Sequence, residues 1–167
     1  MSSWQERLRP VEPDDREQID AMITRWWGAP VVVSRGKTHR PAELEGYLAE
    51  ERGGLAGLVT LYREGDECEV VTLNSEEPGS GLGAALMHAA IEHARSHACR
   101  RLWLITTNDN THALRFYQRL GLRIAAVRIG AVDEARRLKP EIPLTGHGGI
   151  PIHDEIELAI ELEPAER

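Results

Sequence analysis

The order of apolar and polar positions predicts alternating helices and strands along this chain. Apolar residues at helical spacing follow the acidic start at 13–15 and predict a first helix, which Gly28 ends. Short strands are predicted at 8–11 and 31–34. The polar residues 35–41 are predicted to form a loop between this region and the next strands.

A meander of three strands follows at 46–50, 55–63 and 67–74, with glycine turns between the strands. Side chains alternate along a strand, so the third strand is predicted to present two distinct faces. One face would carry Glu67, Glu69, Val71 and Leu73, and the other Cys68, Val70 and Thr72.

A glycine-rich turn, Pro78-Gly79-Ser80-Gly81-Leu82-Gly83, joins the third strand to an amphipathic helix. Glycine lets a backbone approach a ligand closely, and the first amides of a helix have no helical partners. A strand, a glycine turn and a helix start together favour phosphate binding. The turn lacks both the Gly-Lys-Ser/Thr ending of a P-loop and the G-x-G-x-x-G spacing of a dinucleotide site.

The remaining chain alternates in the same way. An apolar strand at 101–106 precedes a helix at 110–120, which Asn110 is predicted to cap. A strand at 123–129 comes next. The last part is predicted to contain a short helix at 131–138, a loop at 145–154 and a final strand at 155–162, in which charged and apolar residues alternate.

Two of these segments resemble motifs of the GNAT N-acetyltransferase superfamily. The glycine turn is similar to the family's acetyl-CoA loop, Arg/Gln-x-x-Gly-x-Gly/Ala, with Gly81 and Gly83 at its two small positions. Pro78 stands where the family has Arg or Gln, which leaves backbone amides to hold the ligand. Residues 108–122 are similar to Asn-x-x-Ala-x-x-Phe-Tyr-x-x-x-Gly-Phe, with Leu122 in place of the last Phe.

This resemblance implies an α+β, three-layer α/β/α GNAT fold, with a mixed, mostly antiparallel central sheet and a splayed strand pair. The strands at 69–74 and 101–106 would form that pair and admit the pantetheine arm. We expect a single acetyltransferase domain over 1–167, with residues 131–154 inserted between the last two strands. In the family this connection is nearer a hairpin, so the insert is interpreted as a specificity element or as a contact in a possible homodimer.

The resemblance also implies direct transfer of an acetyl group from the co-substrate acetyl-CoA to an amine. An amide near Leu73 would polarise the acetyl carbonyl, and Asn110 would contact the pantetheine arm. Tyr117 would protonate the leaving thiolate, and Glu69 is the first choice for the base that takes the amine's proton. The pyrophosphate would rest on the turn residues Gly79, Ser80, Gly81, Leu82 and Gly83.

Alternatives remain at this point. Glu69 is equally well explained as a solvent-facing strand residue, and Trp26 and Trp27 either stack on an acceptor or serve as ordinary aromatics. The chain could also be a non-catalytic acyl-CoA-binding or regulatory module on the same fold, which the departure at Pro78 favours. The acceptor is open between a small-molecule amine and a peptide amine.

Composition narrows the partners. The net charge of −7 argues against nucleic-acid and anionic-membrane surfaces and favours a cationic partner. The N-terminus has no signal-peptide core and no run is long enough to span a membrane, which predicts a cytoplasmic protein. The two cysteines, Cys68 and Cys99, are predicted to be reduced.

Two groups of histidines have spacings that a metal site could use. His93 and His97 are four residues apart on a predicted helix, but no carboxylate or cysteine is evident beside them in the sequence. His147, His153 and Asp154 share the loop before the last strand. We interpret both groups as structural and expect no metal.

Overall fold

A computed structural model describes residues 3–163 of the chain. Four α-helices are present in this part: α1 (Arg16–Trp27), α2 (Leu82–Ser96), α3 (Thr111–Arg119) and α4 (Ala131–Leu138). Nine strands accompany them: β1 (Arg9–Pro10), β2 (Val32–Ser34), β3 (Lys37–His39), β4 (Glu45–Glu51), β5 (Gly54–Glu64), β6 (Glu67–Ser75), β7 (Arg101–Thr107), β8 (Arg123–Arg128) and β9 (Glu155–Glu161). Within residues 3–163, no helix is long and apolar enough to cross a membrane.

Seven strands form one sheet in the order β1-β4-β5-β6-β7-β9-β8. Every neighbouring pair is antiparallel except β6 and β7, which run parallel. One apolar core lies between this sheet and α2, and a second lies beneath α1 on Leu48 and Leu58. The predicted α/β/α arrangement with a mostly antiparallel sheet is therefore confirmed.

The predicted splayed pair is also present. β6 and β7 pair only from Glu67 with Arg101 to Val70 with Leu104, although both strands continue beyond that point. The separation begins where β6 carries an extra residue, because Leu61 pairs with Val70 while Thr60 pairs with Thr72. Val71 is therefore a β-bulge, and a bulge bends and twists its strand away from regular pairing.

The bulge corrects the predicted alternation of side chains along β6. Leu73 packs on the core beneath α2 together with Cys68 and Val70. Thr72 instead lies on the face of Glu69, since Thr72 and Glu69 pair with Thr60 and Tyr62, two residues apart on β5. The prediction was wrong beyond Val71, because one inserted residue reverses which face each later side chain occupies.

The prediction of a loop at 35–41 was also wrong. Residues 37–39 form β3, which pairs with β2 in a two-residue hairpin. Arg35 and Gly36 make the turn with φ values of 48° and 73°, as a type I′ turn requires. The turn signal was hidden because arginine occupies a position where asparagine or glycine is usual.

Candidate active site

The glycine turn has the backbone geometry of a ligand loop. Gly79 and Gly81 have φ values of 81° and 84°, and no atom beyond the two adjacent residues lies within 4 Å of the position that a Cβ would occupy on either glycine. Gly81 is the residue that precedes α2. Trp4 fixes the turn from outside, because its indole Nε1 donates to the Ser80 carbonyl at 3.1 Å.

The start of α2 offers unused amides. Among the described residues, the amides of Gly81, Gly83 and Ala84 have no hydrogen-bond acceptor, whereas that of Leu82 donates to Ser80 Oγ at 3.4 Å. Such amides, aligned with the helix dipole, attract an anion. The open space around the glycines allows the ligand to come close to the backbone.

The C-terminal ends of β6 and β7 bring the two sequence motifs to one edge of the sheet. The glycine turn follows β6, and the loop that leads into α3 follows β7. Asn110 caps α3, since its Oδ1 accepts from the amide of Ala113 at 3.1 Å. The gap between the strands therefore opens between the turn and the start of α3.

Tyr117 lies on α3, which packs close to the start of α2. A Cβ at position 83 would lie 3.4 Å from the ring of Phe116, so α2 and α3 approach within van der Waals contact there. Tyr117 is half-buried against the core beneath α2, with its ring centre 5.3 Å from that of Phe116. Burial raises the pKa of its phenol, so Tyr117 stays protonated at neutral pH and is able to donate.

Glu69 occupies the sheet face opposite α2. We call this surface the acid face and define it by Glu69, Glu155 and Glu157 with the neighbouring Tyr62 and Trp103. Glu69 is 4% exposed, and its Oε2 lies 3.5 Å from Nε2 of the equally buried His39. A cavity of about 240 Å³ opens beside it, lined by Ser34, Arg35, Lys37, Tyr62, Glu64, Glu67, Glu69 and Trp103.

The bulge extends the acid face toward the gap between β6 and β7. It turns Thr72 and Asn74 to the same side as Glu69, where both are buried. The hydroxyls of Thr72 and Thr60 lie 2.7 Å apart. A row of polar side chains therefore runs from Glu69 along β6 to the point where the strands have separated.

Several buried polar atoms here have no protein partner. In the described part of the chain, buried side-chain atoms without a hydrogen bond include Ser34 Oγ, His39 Nε2, Asn74 Oδ1 and Arg128 Nη1. Ser34 lines the cavity, His39 faces Glu69, and Asn74 lies at the end of the polar row. Buried polar groups are nearly always paired, so these atoms are open to water or to a polar ligand.

Two carboxylates of β9 complete the acid face. Burial alone would raise the pKa of Glu157, but Arg35, Arg101 and Arg128 lie within 2.8 Å of its oxygens and together lower that pKa to about 2. Glu155 is also buried, and desolvation raises its pKa. A carboxyl with a raised pKa is suited to accept a proton near neutral pH.

His39, Glu155 and Trp103 were not predicted as site residues from the sequence. His39 was assigned to a loop, and Glu155 was interpreted only as part of an alternating strand. Trp103 supports the β2–β3 hairpin, because the Arg35 guanidinium lies 3.8 Å from its ring centre. Acidic residues at three alternate positions of β9, Glu155, Glu157 and Glu161, were the available signal, but such a pattern is typical of a solvent-facing strand.

The two tryptophans at the end of α1 are exposed, whereas the two cysteines are buried. Trp26 and Trp27 are exposed at the end of α1, where the Trp26 indole donates to Glu76 at 3.3 Å. Cys68 and Cys99 are free and buried, and burial raises the pKa of Cys68 to about 12. The Cys68 thiol is therefore protonated and unsuited to act as a nucleophile.

The segment between β8 and β9 is tied to the loop that precedes α3. Asn108 Oδ1 accepts from the amides of His153 and Asp154, both at 3.0 Å. The buried Asp109 accepts from the amide of His147 at 3.0 Å. A side chain at Gly146 would come within 2.0 Å of the Asp109 carboxylate, so this contact requires glycine.

The same segment reaches the end of α1. The Glu141 Cβ lies 3.3 Å from the position of a Cβ on Gly28, and the buried Lys139 places its Nζ 6.0 Å from the Trp27 ring centre. The insert thus joins the start of α3 to the helix that covers the acid-face side of the sheet.

Comparison with known proteins agrees with this geometry. The sequence profile of the acetyltransferase (GNAT) family matches residues 1–122. YxbD of Bacillus subtilis strain 168 is 39% identical over 149 residues, which cover 89% of this chain and 94% of that protein.

Solved structures share the fold. A GNAT family acetyltransferase from Elizabethkingia anophelis, solved with acetyl-CoA bound, gives a TM-score of 0.68 at 20% identity, with 94% of this chain and 99% of that chain covered. A Bacillus subtilis acetyltransferase solved in complex with CoA gives 0.66 at 21% identity, with 94% and 99% covered. Because the family profile spans most of the sequence, the chain belongs to the GNAT family of N-acetyltransferases.

Proposed function

We propose that this protein transfers the acetyl group of acetyl-CoA directly to a primary amine, and that the reactants meet where β6 and β7 separate. The observation that carries the proposal is the loss of pairing beyond Val70 and Leu104, directly before the glycine turn. The gap has free strand backbone on both sides, which suits the amide groups of a pantetheine arm. The unused amides at the start of α2 suit its pyrophosphate.

Backbone amides provide most of the contacts on the CoA side of the site. Gly79, Ser80, Gly81, Leu82 and Gly83 surround the pyrophosphate, and Asn110 contacts the pantetheine arm while it caps α3. The amide near Leu73 polarises the acetyl carbonyl and stabilises the charge that develops on its oxygen. Without an arginine or glutamine at Pro78, affinity depends on these amides and on the space that glycine leaves.

Tyr117 serves as the general acid. The amine nitrogen attacks the carbonyl carbon, the carbon–sulfur bond breaks, and the departing thiolate takes the phenolic proton. A raised pKa favours this role, because the phenol keeps its proton until a strongly basic partner appears. The transfer needs no acyl-enzyme, in agreement with the unreactive state of Cys68.

Glu69 takes the proton of the attacking amine. Glu69 lies four residues before Leu73, or at most about 13 Å along the strand, so the proton reaches it through water or the polar row. His39 lies next to the carboxylate, with its Nε2 3.5 Å from Glu69 Oε2. Glu155 is the alternative base, since it shares the acid face and its raised pKa suits proton uptake.

The acceptor is an amine that is protonated, and therefore cationic, before it binds. Glu64, Glu67 and Glu69 line the cavity, whereas the rings of Trp103 and Tyr62 are already covered by Arg35 and Lys37. The three carboxylates attract an ammonium group. Residues 131–154 border this side of the sheet through Lys139 and Glu141. Shortening the insert is therefore expected to alter which amines react. If the shortened protein only loses a dimer and keeps its amine preference, the insert is an interface instead.

Release of free CoA thiol tests the function. Purified protein is mixed with acetyl-CoA and a panel of diamines, polyamines, amino sugars and peptides with free amino groups. Thiol release that depends on one class of amine, with mass spectrometry of the acetylated product, is the expected outcome. Tight CoA binding without acetylated product for any panel member would favour a non-catalytic module.

A further inference from the structure

A second cluster of ligand-type side chains lies at the far end of α2. His93 and His97 are one helical turn apart, with ring centres 4.2 Å from each other. Glu45, at the start of β4, places Oε2 3.3 Å from His93 Nε2. One ligand atom from each of the three residues lies within 4.8 Å of the others. The sequence reasoning expected no carboxylate beside this pair because β4 is almost fifty residues away along the chain.

The second nitrogen of each imidazole already has a partner. His97 Nδ1 lies 2.8 Å from the His93 carbonyl oxygen, which can only accept, so Nδ1 carries the proton and Nε2 keeps a lone pair. His93 Nδ1 lies 3.1 Å from the Tyr47 hydroxyl. Metal-binding histidines characteristically use the other ring nitrogen in this way, which fixes the ring and its tautomer.

His93 is half-buried, and its two ring nitrogens face the Tyr47 hydroxyl and the Glu45 carboxylate. In the metal-free state Nε2–H can donate to Glu45. When a cation replaces that proton, the tautomer with hydrogen on Nδ1 donates to Tyr47 instead.

We propose that Glu45, His93 and His97 bind a divalent cation of the zinc, nickel or copper class. Two imidazoles and one carboxylate suit these metals, and the three ligand atoms lie within 4.8 Å of one another, so small side-chain rotations bring them around a single ion. Glu45 and His97 are exposed, so water completes the coordination. His93 lies ten residues after Gly83, or about 15 Å along the helix, which separates this site from the acetyl-transfer site.

The bound ion would fasten the end of α2 to β4, since its ligands come from both elements. Arg63 opposes binding, because its guanidinium donates to both oxygens of Glu45 at 2.9 and 3.1 Å. Removing that positive charge while keeping the apolar stem is therefore expected to tighten metal binding. A simple ion-pair cluster would not show this response.

Zinc titration calorimetry on the full chain, stripped with a chelator, tests the site. We expect one zinc ion per chain, a loss of affinity of about 100-fold or more in His97→Gln, and a loss of about tenfold in Tyr47→Phe, which removes only an outer contact. Arg63→Met should bind zinc more tightly. His88→Gln is the matched control, because His88 is exposed on the same helix and outside the cluster.

Melting curves with and without zinc extend the test. Zinc should raise the melting temperature of the wild type and of His88→Gln, and leave that of His93→Gln unchanged. If the wild type and the His93→Gln/His97→Gln double variant bind zinc equally, the site does not exist. Weaker binding by Arg63→Met would also overturn the proposal. Far-UV circular dichroism of the stripped variants checks that they remain folded.

Discussion

The face of the central sheet beneath α2 and the acid face are formed by the same strands, yet they differ in how their side chains are satisfied. Beneath α2, the side chains of Val59, Leu61, Val70, Leu104 and Leu158 form a continuous apolar core. On the acid face, buried carboxylates meet three guanidiniums, and several polar atoms have no partner.

This difference separates two tasks. The apolar face stabilises the fold, and the bulge at Val71 marks where β6 and β7 diverge. The acid face accepts a cost in stability, because buried unpaired polar groups are unfavourable, and it retains groups that a ligand can satisfy. We infer that CoA approaches from the helix start on one side and the amine from the acid face on the other.

Tyr117→Phe should have the largest effect on turnover. The variant keeps the ring that packs against the α2 core but loses the proton donor, so kcat is expected to fall by about 10²–10⁴-fold. CoA affinity and melting temperature should change little. Steady-state thiol release with the best acceptor measures the effect, and Tyr47→Phe provides a tyrosine control at the opposite end of α2. Normal turnover would make Tyr117 a core aromatic.

Glu69→Gln should lower kcat/KM by about 10²-fold and flatten the acidic limb of the pH–rate profile. Glu155→Gln is the matched comparison, because it makes the same change on the same face. We expect Glu155→Gln to retain the limb. If Glu155→Gln loses the acidic limb and Glu69→Gln retains it, Glu155 is the general base. If both variants have normal pH–rate profiles, water is the base.

Glu157 should contribute to acid sensitivity of the fold. Its folded-state pKa is lowered from 4.5 to about 2, so its stabilisation is present above pH 4.5 and lost as the pH falls toward 2. That change corresponds to about 3 kcal/mol, which screening of the partly exposed arginines reduces to about 2 kcal/mol. In urea unfolding, the wild type should lose about 1 kcal/mol more stability than Glu157→Gln between pH 7 and pH 3, because folded Glu157 is still mostly ionised at pH 3.

Glu155 is a control for that measurement, because its pKa shift changes the stability in the opposite direction. Its pKa is raised by burial, so its charged form costs stability as the pH rises through the folded-state value. Glu155→Gln should therefore be more stable than the wild type at pH 7. Equal acid sensitivity in all three proteins would show that the arginines do not stabilise Glu157.

Gly81→Val should weaken CoA binding by about tenfold or more, because a side chain would occupy the space expected for the pyrophosphate. Gly53→Val is a matched control, since Gly53 has nearly the same φ of 81° and equally open surroundings in the β4–β5 turn. Both variants should lose about 1–2 kcal/mol of stability from the strained backbone. Calorimetric CoA titration separates them, and equal affinities would refute this placement.

The sequence predicted the fold because its main signals are local. The apolar run of β6, the glycine turn and the amphipathic α2 follow one another along the chain, and each has its own pattern. The bulge at Val71 has no such signal, because one extra residue in a strand is visible only when the partner strand is known. The β2–β3 turn was not predicted for a related reason, since Arg35 is an unusual residue for its conformation.

The acid face was harder to predict because its residues come from separate strands. His39, Glu69 and Glu155 are far apart in the sequence, and each alone is typical of an exposed position. The same limit hid the carboxylate of Glu45 beside His93. The single domain over 1–167, the possible homodimer and the cytoplasmic location stay predictions.

A crystal structure of the complex with CoA tests the central claim most directly. The pantetheine arm should lie between the separated ends of β6 and β7, with the pyrophosphate on the amides of residues 79–83. The sulfur should lie within hydrogen-bond reach of the Tyr117 hydroxyl. A CoA molecule bound outside the gap, or a sulfur that faces away from Tyr117, would contradict the account.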